Sequence, residues 1–554
     1  MSKRYQVAII GSGIAGTTLG AILARHGMQV IIFEAKQHPR FAIGESMILE
    51  TSDMMRALAE FYDVPEAAYF SSINFMAFAG SSHGVKRHFG FFHHQKDEAH
   101  NPRHTLQAVI PKEPHGHEFH LYRQDTDYFL MSSASGYGAT VLQNTRVTDV
   151  QIDENGVMIE DHHGVRYNAD YIVDAGGFRS VLAQKFDLRR RNQKTHARAM
   201  FTHMVDVPSV DDSAYGLPFP MSEGTLHHVF YGGWLWVIPF NNHKNSTNPL
   251  VSVGLLLDPR RYPQRNDLTA EQEFFDFIKR FPTIHEQLKH GKAVRDWVRA
   301  PRIQYGSSRV VGDRWALLGH AAGFIDPLYS KGLYISLTSV FVLAHLLLRN
   351  QKTQDFSATA FRPLEQVTQN YLRMNDRLVA NSYKSWGDYR LWQLYRVLWL
   401  TGAYTELVKL NCIRGLAKGD RAIYFDELIQ LQLAGGGFSE FFTIADQVDR
   451  IIEQVNLADE AEIVRAEREI REIFNRVYWM PRPFKELLTG KTYLTKNKIR
   501  PEIFKIGTGF LGKGDYRRHF FGKQSILELL SFFAREKWRY NPLVLNRSRA
   551  RGLI

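Results

Sequence analysis

Residues 5–35, YQVAIIGSGIAGTTLGAILARHGMQVIIFEA, read as a strand, a glycine-rich turn, a helix whose apolar positions recur at helical spacing, and a second strand ending at Glu34. This is one βαβ unit. Its turn, Gly11-Ser12-Gly13-Ile14-Ala15-Gly16, is a dinucleotide fingerprint lying after a strand and before a helix, as the fingerprint requires. Gly11 permits the tight turn, Gly13 lets a pyrophosphate approach the backbone beside Ile14 and Ala15, and Gly16 lets helix and strand pack closely. Glu34, with Ala35 beside it, stands where an acid accepts from ribose hydroxyls. The fingerprint alone leaves NAD and FAD open.

The middle of the chain mixes alternating stretches, such as 145–152 and 156–177, with the aromatic strands of 227–240 and 250–257. These pieces suggest an antiparallel sheet inserted into a nucleotide-binding fold. From about residue 358 helix follows helix, and Asp459 with Glu462 forms a capping box before Ile463, Ile470, Phe474 and Val477 on one face. The expected class is α/β, with a discontinuous Rossmann-like FAD-binding domain (1–80, 121–200 and 300–350). A β-rich substrate domain (81–120 and 201–299) and a helical C-terminal domain (351–554) complete it.

A chain of 554 residues with 44% hydrophobic and 23% charged residues has the composition of a folded protein with a large core and two or three domains. Its single cysteine, Cys412, excludes an intrachain disulfide framework and a cysteine-rich metal site, and fits a reducing cytoplasm. The N-terminus runs straight into a strand without the features of a signal peptide. No apolar run reaches spanning length; the nearest, residues 336–348, suits a buried helix, so no transmembrane span is expected. The net charge of +12 leans toward the C-terminus, as in residues 491–505 and 546–552, and reads as a solvated basic face. Nucleic-acid module signatures are absent, so no nucleic-acid partner is expected.

Five further segments identify the family. FAIGESM carries Gly44, Glu45 and Ser46; LYRQDTDYFL carries Arg123 and Asp127; YIVDAGGFRS carries Asp174. WALLGHAAGFIDPLYSKGLYIS carries His320, Asp326, Ser330, Lys331, Gly332 and Leu333, and GGWLWVIP carries Trp234 and Trp236. Over about residues 5–405 the sequence resembles the flavin-dependent halogenases, which have the fold of the FAD-dependent monooxygenases, and GGWLWVIP matches their W-x-W-x-I-P motif. In a strand Trp234 and Trp236 face one way and Leu235 and Val237 the other. The resemblance implies FAD held by these segments, and reduced flavin reacting with O2 to a C4a-hydroperoxide that turns halide into hypohalous acid. It also implies an aromatic wall that keeps substrate from the flavin. Candidate catalytic positions are then Trp234, Trp236, Ser330 and Lys331.

Three positions depart from the family pattern. Past Val64-Pro65-Glu66 no lysine stands near Phe78, where the resemblance implies one, and Lys86 lies eight residues later. The family's Gly-Asp is Gly319-His320, and histidine still offers a hydrogen bond to a hydroxyl or phosphate. Lys331 replaces a small hydroxylated residue; it would attract halide, stabilise a reduced-flavin anion, or point outward. His83, His88, His93, His94, His100, His104, His115, His117 and His120 form a dense band, but HGHEFH fits no zinc spacing, so a solvated or substrate-facing loop is expected and no metal.

With a single dinucleotide fingerprint, no NAD(P)H domain is expected, which implies a partner flavin reductase. The resemblance implies a secondary-metabolism oxidoreductase that halogenates an electron-rich aromatic or unsaturated small molecule, free or carrier-bound. A halide-independent monooxygenase and a degenerate flavin-binding protein are the alternatives.

Overall fold

The computed structural model describes residues 4–110, 112, 115–494, 514–522 and 525–550. Most of the basic run 491–505 and the last residues of 546–552 lie outside them.

The opening unit forms as the sequence reading expects: strand Arg4–Ile10, helix Ile14–Arg25, strand Val30–Phe33. These strands are parallel, with Ile10 opposite Phe33, and Arg166–Asp174 lies on the other side of the first strand, pairing Ile10 with Asp174. Trp315–Leu317 and Thr140–Leu142 extend the parallel sheet at its two sides. Its strands are short apolar runs buried on both faces, the pattern of a sheet covered by helices. Lys331–Asn350 supplies one such cover. By length and composition this helix passes for a membrane span, but 83% of its apolar window is packed inside the protein.

A second, nine-stranded sheet holds the tryptophan strand Gly233–Pro239 between Thr225–Phe230 and Val251–Leu257. Its pairings are mostly antiparallel; His88–His93 against Thr225–Phe230 is parallel, as is Tyr493–Leu494 against Thr105–Val109. The chain after residue 351 therefore gives this sheet a strand as well as supplying helices. Trp234, Trp236 and Ile238 enter one core while Leu235 and Val237 enter another, the period of two expected of a strand.

Helices Arg362–Ser385, Tyr389–Ala417 and Ser439–Gln454 pack over the tryptophan side of this sheet. In helix Glu460–Arg476, Asp459 caps Ala461 N and Glu462 N, and Ile463, Ala466, Ile470 and Phe474 are buried on one face. Glu462 reaches back to Asn456 N rather than to the cap, so the box is only half formed. Arg414, fully buried, bonds both Asp53 and Glu536 and so ties the C-terminal helix Ile526–Arg539 to the nucleotide-binding layer.

Candidate active site

The fingerprint glycines divide their work as their missing Cβ atoms show. A Cβ on Gly16 would lie 2.1 Å from Gly11 O, and one on Gly11, at φ 97°, would lie 2.7 Å from Ala175 O. Both are closed by the fold itself. At Gly13 the nearest atom to a Cβ is Arg40 Nη2 at 3.7 Å, so that glycine faces open space where a pyrophosphate would approach. Helix Ile14–Arg25 presents its N-terminus there, with Ile14 buried and Ala15 half-buried.

Glu34 accepts from Ser12 N, Ser12 Oγ (2.7 Å) and Arg40, and its other oxygen accepts from Lys36 N. Burial pushes this carboxyl up, but Arg40 and the Ser12 bonds hold it below the ordinary range. Arg40 also reaches Asp127, which is bonded bidentately by Arg123, and Arg123 donates to Ile43 O and Gly44 O. This chain of contacts connects the fingerprint to the loop carrying Glu45 and Ser46.

That loop borders a cavity of about 430 Å³ whose walls include Gly44–Ser46, Arg123, Trp234, Trp236, His320, Ser330, Gly332 and Leu333. The residues fit a flavin. His320 Nε2 is buried without a partner among the described residues, and a Cβ on Gly332 would lie 2.9 Å from it. Burial lowers His320 to about 4, so it meets a ligand as a neutral imidazole.

The aromatic wall is Trp234 and Trp236, 5.8 Å apart, with Trp236 Nε1 donating to Ser252 Oγ. Gly254 on the next strand makes room for it: a Cβ there would lie 2.1 Å from the Trp236 ring. Spacing within the motif gives no hint of this partner.

Several candidates are held by partners within the protein. Asp174 is spent on its own loop, accepting from Gly176 N, Ser180 Oγ and Leu182 N. Asp326 accepts from Leu328 N and Tyr383 Oη, and burial pushes it up to about 7. Glu45 lines the cavity but bonds His203 Nε2 at 2.7 Å. Ala35 is exposed beside Glu34. Lys331 lies beyond the cavity walls, with Nζ 2.7 Å from Glu50 and 3.4 Å from Glu406. Its position in the sequence next to Ser330 does not carry its side chain to the flavin side, because it begins a helix whose buried face meets these carboxylates.

Phe78 packs against Tyr69 and Phe75, away from this chemistry. Lys86 instead reaches Ser46, a residue of the cavity wall. Fully buried, it donates from Nζ to Ser46 Oγ and to Met47 O, both at 2.8 Å, and lies 3.4 Å from the centroid of the Phe89 ring. Burial pulls Lys86 well below the ordinary lysine range, against the pull of Glu118 and Glu50. Glu118 is opposite it on a two-stranded ribbon and is pushed up to about 7 by burial, though bonded by Ser52.

A directed chain of hydrogen bonds continues from Lys86. Ser46 Oγ also accepts from Ser330 Oγ (3.1 Å) and lies 2.8 Å from Thr225 Oγ1, which lies 2.9 Å from His120 Nε2. His120 Nδ1 faces Pro239 O at 2.8 Å, and since a carbonyl only accepts, the network assigns the proton to Nδ1. Thr225 then donates to Nε2, and Ser46 to Thr225, leaving the Ser46 oxygen turned to Lys86. The proline closing GGWLWVIP thus helps to aim a lysine.

The histidine band is not a solvated loop. His88, His93 and His120 bond backbone carbonyls inside the protein, and His94 bonds His228, which bonds Gln287. The alternation of the strands carries these rings inward, and burial lowers His88, His93 and His228 to about 4.

A second cavity of about 110 Å³ has among its walls Ile48, Glu50, Phe89, Lys331, Trp399 and Tyr404; Lys86 overlies one of them, Phe89. The long helix Tyr389–Ala417 supplies one wall. Glu50, Phe89 and Trp399 were not among the sequence candidates; nothing in their spacing marks them.

Comparison with known proteins places this geometry. Residues 4–354 match the family model described as an FAD binding domain. The chain is 46% identical over 406 residues to monodechloroaminopyrrolnitrin halogenase PrnC of Pseudomonas fluorescens, covering 72% of this chain and 71% of that one. It is 44% identical over 409 residues to tetracycline 7-halogenase of Kitasatospora aureofaciens, covering 72% and 74%. The solved structure of halogenase PltM with phloroglucinol and FAD superposes with a TM-score of 0.83 at 31% identity, covering 88% of this chain and 99% of that one.

Proposed function

The chain belongs to the flavin-dependent halogenases, with FAD as cofactor, and from that premise we propose that Lys86 passes halogen from the flavin cavity to an aromatic substrate held in the second cavity. The observation that carries this reading is the position of one nitrogen. Lys86 Nζ bonds Ser46, a wall of the flavin cavity, and overlies Phe89, a wall of the other.

Bound reduced FAD supplies, with O2, the two-electron oxidation that converts halide to hypohalous acid. Trp234 and Trp236 keep the substrate off the flavin side. Burial favours the amine form of Lys86, whose lone pair is a nucleophile. The N–X bond forms as the X–O bond breaks and water leaves; a ring carbon then takes the halogen, the nitrogen recovers its electron pair, and the displaced ring proton departs. Ser46, Thr225 and His120 hold the amine in line. Lys86 is thus the residue that fills the role left open near Phe78, and the ground for a halide-independent monooxygenase weakens accordingly.

The protein described here needs reduced flavin, and a separate cytoplasmic reductase is the proposed donor, since the chain carries a single dinucleotide fingerprint. The substrate is a small electron-rich molecule, free or carrier-bound, of a secondary pathway. Reconstitution with FAD, a flavin reductase, O2 and bromide, using phenol and monochlorodimedone as acceptors, tests the reading. Brominated product supports it; oxygenated product formed equally well without bromide overturns it.

A further inference from the structure

The second cavity is mostly apolar, and Glu50 and Lys331 are the charged residues of its lining. Glu50 is 5% exposed. One of its oxygens accepts from Lys331 Nζ at 2.7 Å, and the other accepts no hydrogen bond from the described residues. Lys331 is itself bonded to Glu406, which also accepts from Ala434 N at 2.8 Å. Lys331 lines the same cavity, with its Nζ held between the Glu50 and Glu406 carboxylates. The carboxylate oxygen of Glu50 that has no donor gains strongly from one supplied by a ligand. Phe89, Tyr329 and Trp399 form flat walls, Tyr329 stacked on Trp399 with ring centres 4.5 Å apart, and Phe89 meeting Trp399 edge-on at 5.5 Å. These rings touch one another and make one aromatic side of the cavity; a planar ring laid against that side brings an N–H or O–H toward Glu50.

We propose that Glu50 reads the substrate, accepting a hydrogen bond from the phenolic O–H or pyrrole-type N–H of a planar aromatic molecule. This rests on the second cavity being the substrate chamber. The bond has two effects. It orients the ring in a cavity whose walls include both Glu50 and Phe89, the ring that Lys86 overlies. It also draws on the donor proton, which raises electron density in the ring as the halogen arrives. The same oxygen repels a carboxylate substituent, so acids of matched ring structure are excluded.

Cresol and anisole are isomers of one size, and only cresol carries an O–H; pyrrole-2-carboxylic acid methyl ester and its N-methyl derivative form a second pair. In the wild-type holoenzyme with reduced FAD, O2 and bromide, kcat/KM for the donor-bearing member exceeds that of its partner by roughly 10- to 100-fold. In Glu50→Gln the ratio falls toward unity, and in Glu50→Asp part of it returns. Because each ratio is taken within one protein, changes in hypohalous acid supply cancel. Should Glu50→Gln not fold, binding of the two pairs to oxidised wild-type holoenzyme replaces it: preferential binding of the donor-bearing member supports the proposal, equal binding overturns it. A ratio near one in the wild type, or a ratio unchanged in Glu50→Gln, also overturns it. No bromination of any acceptor, monochlorodimedone included, overturns the underlying halogenase reading instead.

Discussion

Lys86 Nζ lies 2.8 Å from Ser46 Oγ, joining a strand of the two-stranded ribbon to the loop that follows the nucleotide-binding unit. Forty residues apart in sequence, the two meet beside both cavities: Ser46 lines the larger, and Phe89, which Lys86 overlies, lines the smaller.

The fingerprint glycines are expected to separate under mutation. Gly16→Ala places a methyl group 2.1 Å from Gly11 O, so the apo protein is destabilised by about 1–3 kcal/mol or more, read by urea denaturation. Gly13→Ala meets only Arg40 Nη2 at 3.7 Å, so apo stability is retained while FAD dissociates more readily, read by flavin absorbance after gel filtration.

Gly254→Ala is expected to disturb the aromatic wall. Its Cβ would fall 2.1 Å from the Trp236 ring, which is also held by Ser252. Trp236 must rotate or the strands part, at about 1–3 kcal/mol, with a shift in tryptophan fluorescence. An unshifted spectrum at wild-type stability contradicts this packing.

Lys331→Met leaves Glu50 and Glu406 buried without their cation. The expected loss is about 3–5 kcal/mol in urea denaturation. Flavin retention, by contrast, is expected to persist in the folded fraction, because Lys331 faces away from the flavin cavity.

Stability is expected to fall on acidification through the histidines. His88, His93 and His228 titrate near 6.5 in the unfolded chain but are lowered to about 4 in the fold by burial. A depressed folded value means the unfolded state binds protons first, so stability is full above about 6.5 and is lost as pH falls toward 4. Melting temperatures measured across that window check the sign; a flat profile contradicts it.

Much of the fold is legible in the sequence because it rests on local patterns. The βαβ unit at 4–33 has its period, turn and strand lengths written in consecutive residues, and Trp234 with Trp236 obeys the alternation of a strand. The lysine was harder to place. Lys86 is set by the pairing of Gly84–Lys86 with Glu118–His120, a register no local pattern encodes. For the same reason the histidine band reads as a polar loop until its strands are paired, and Lys331 reads as a flavin neighbour until its helix meets Glu50 and Glu406. The fingerprint and the tryptophan motif border the larger cavity; the second cavity is assembled from residues 48–50, 89, 108–110 and 399–407, which only tertiary structure brings together.

The most direct measurement is the rate of brominated phenol formation by Lys86→Met holoenzyme under reduced FAD, O2 and bromide, with bound flavin quantified in the same sample. A fall of at least about 100-fold with flavin still bound is the expected result, since the nitrogen that bonds Ser46 and overlies Phe89 is gone. Product formed at the wild-type rate would contradict the role assigned to Lys86.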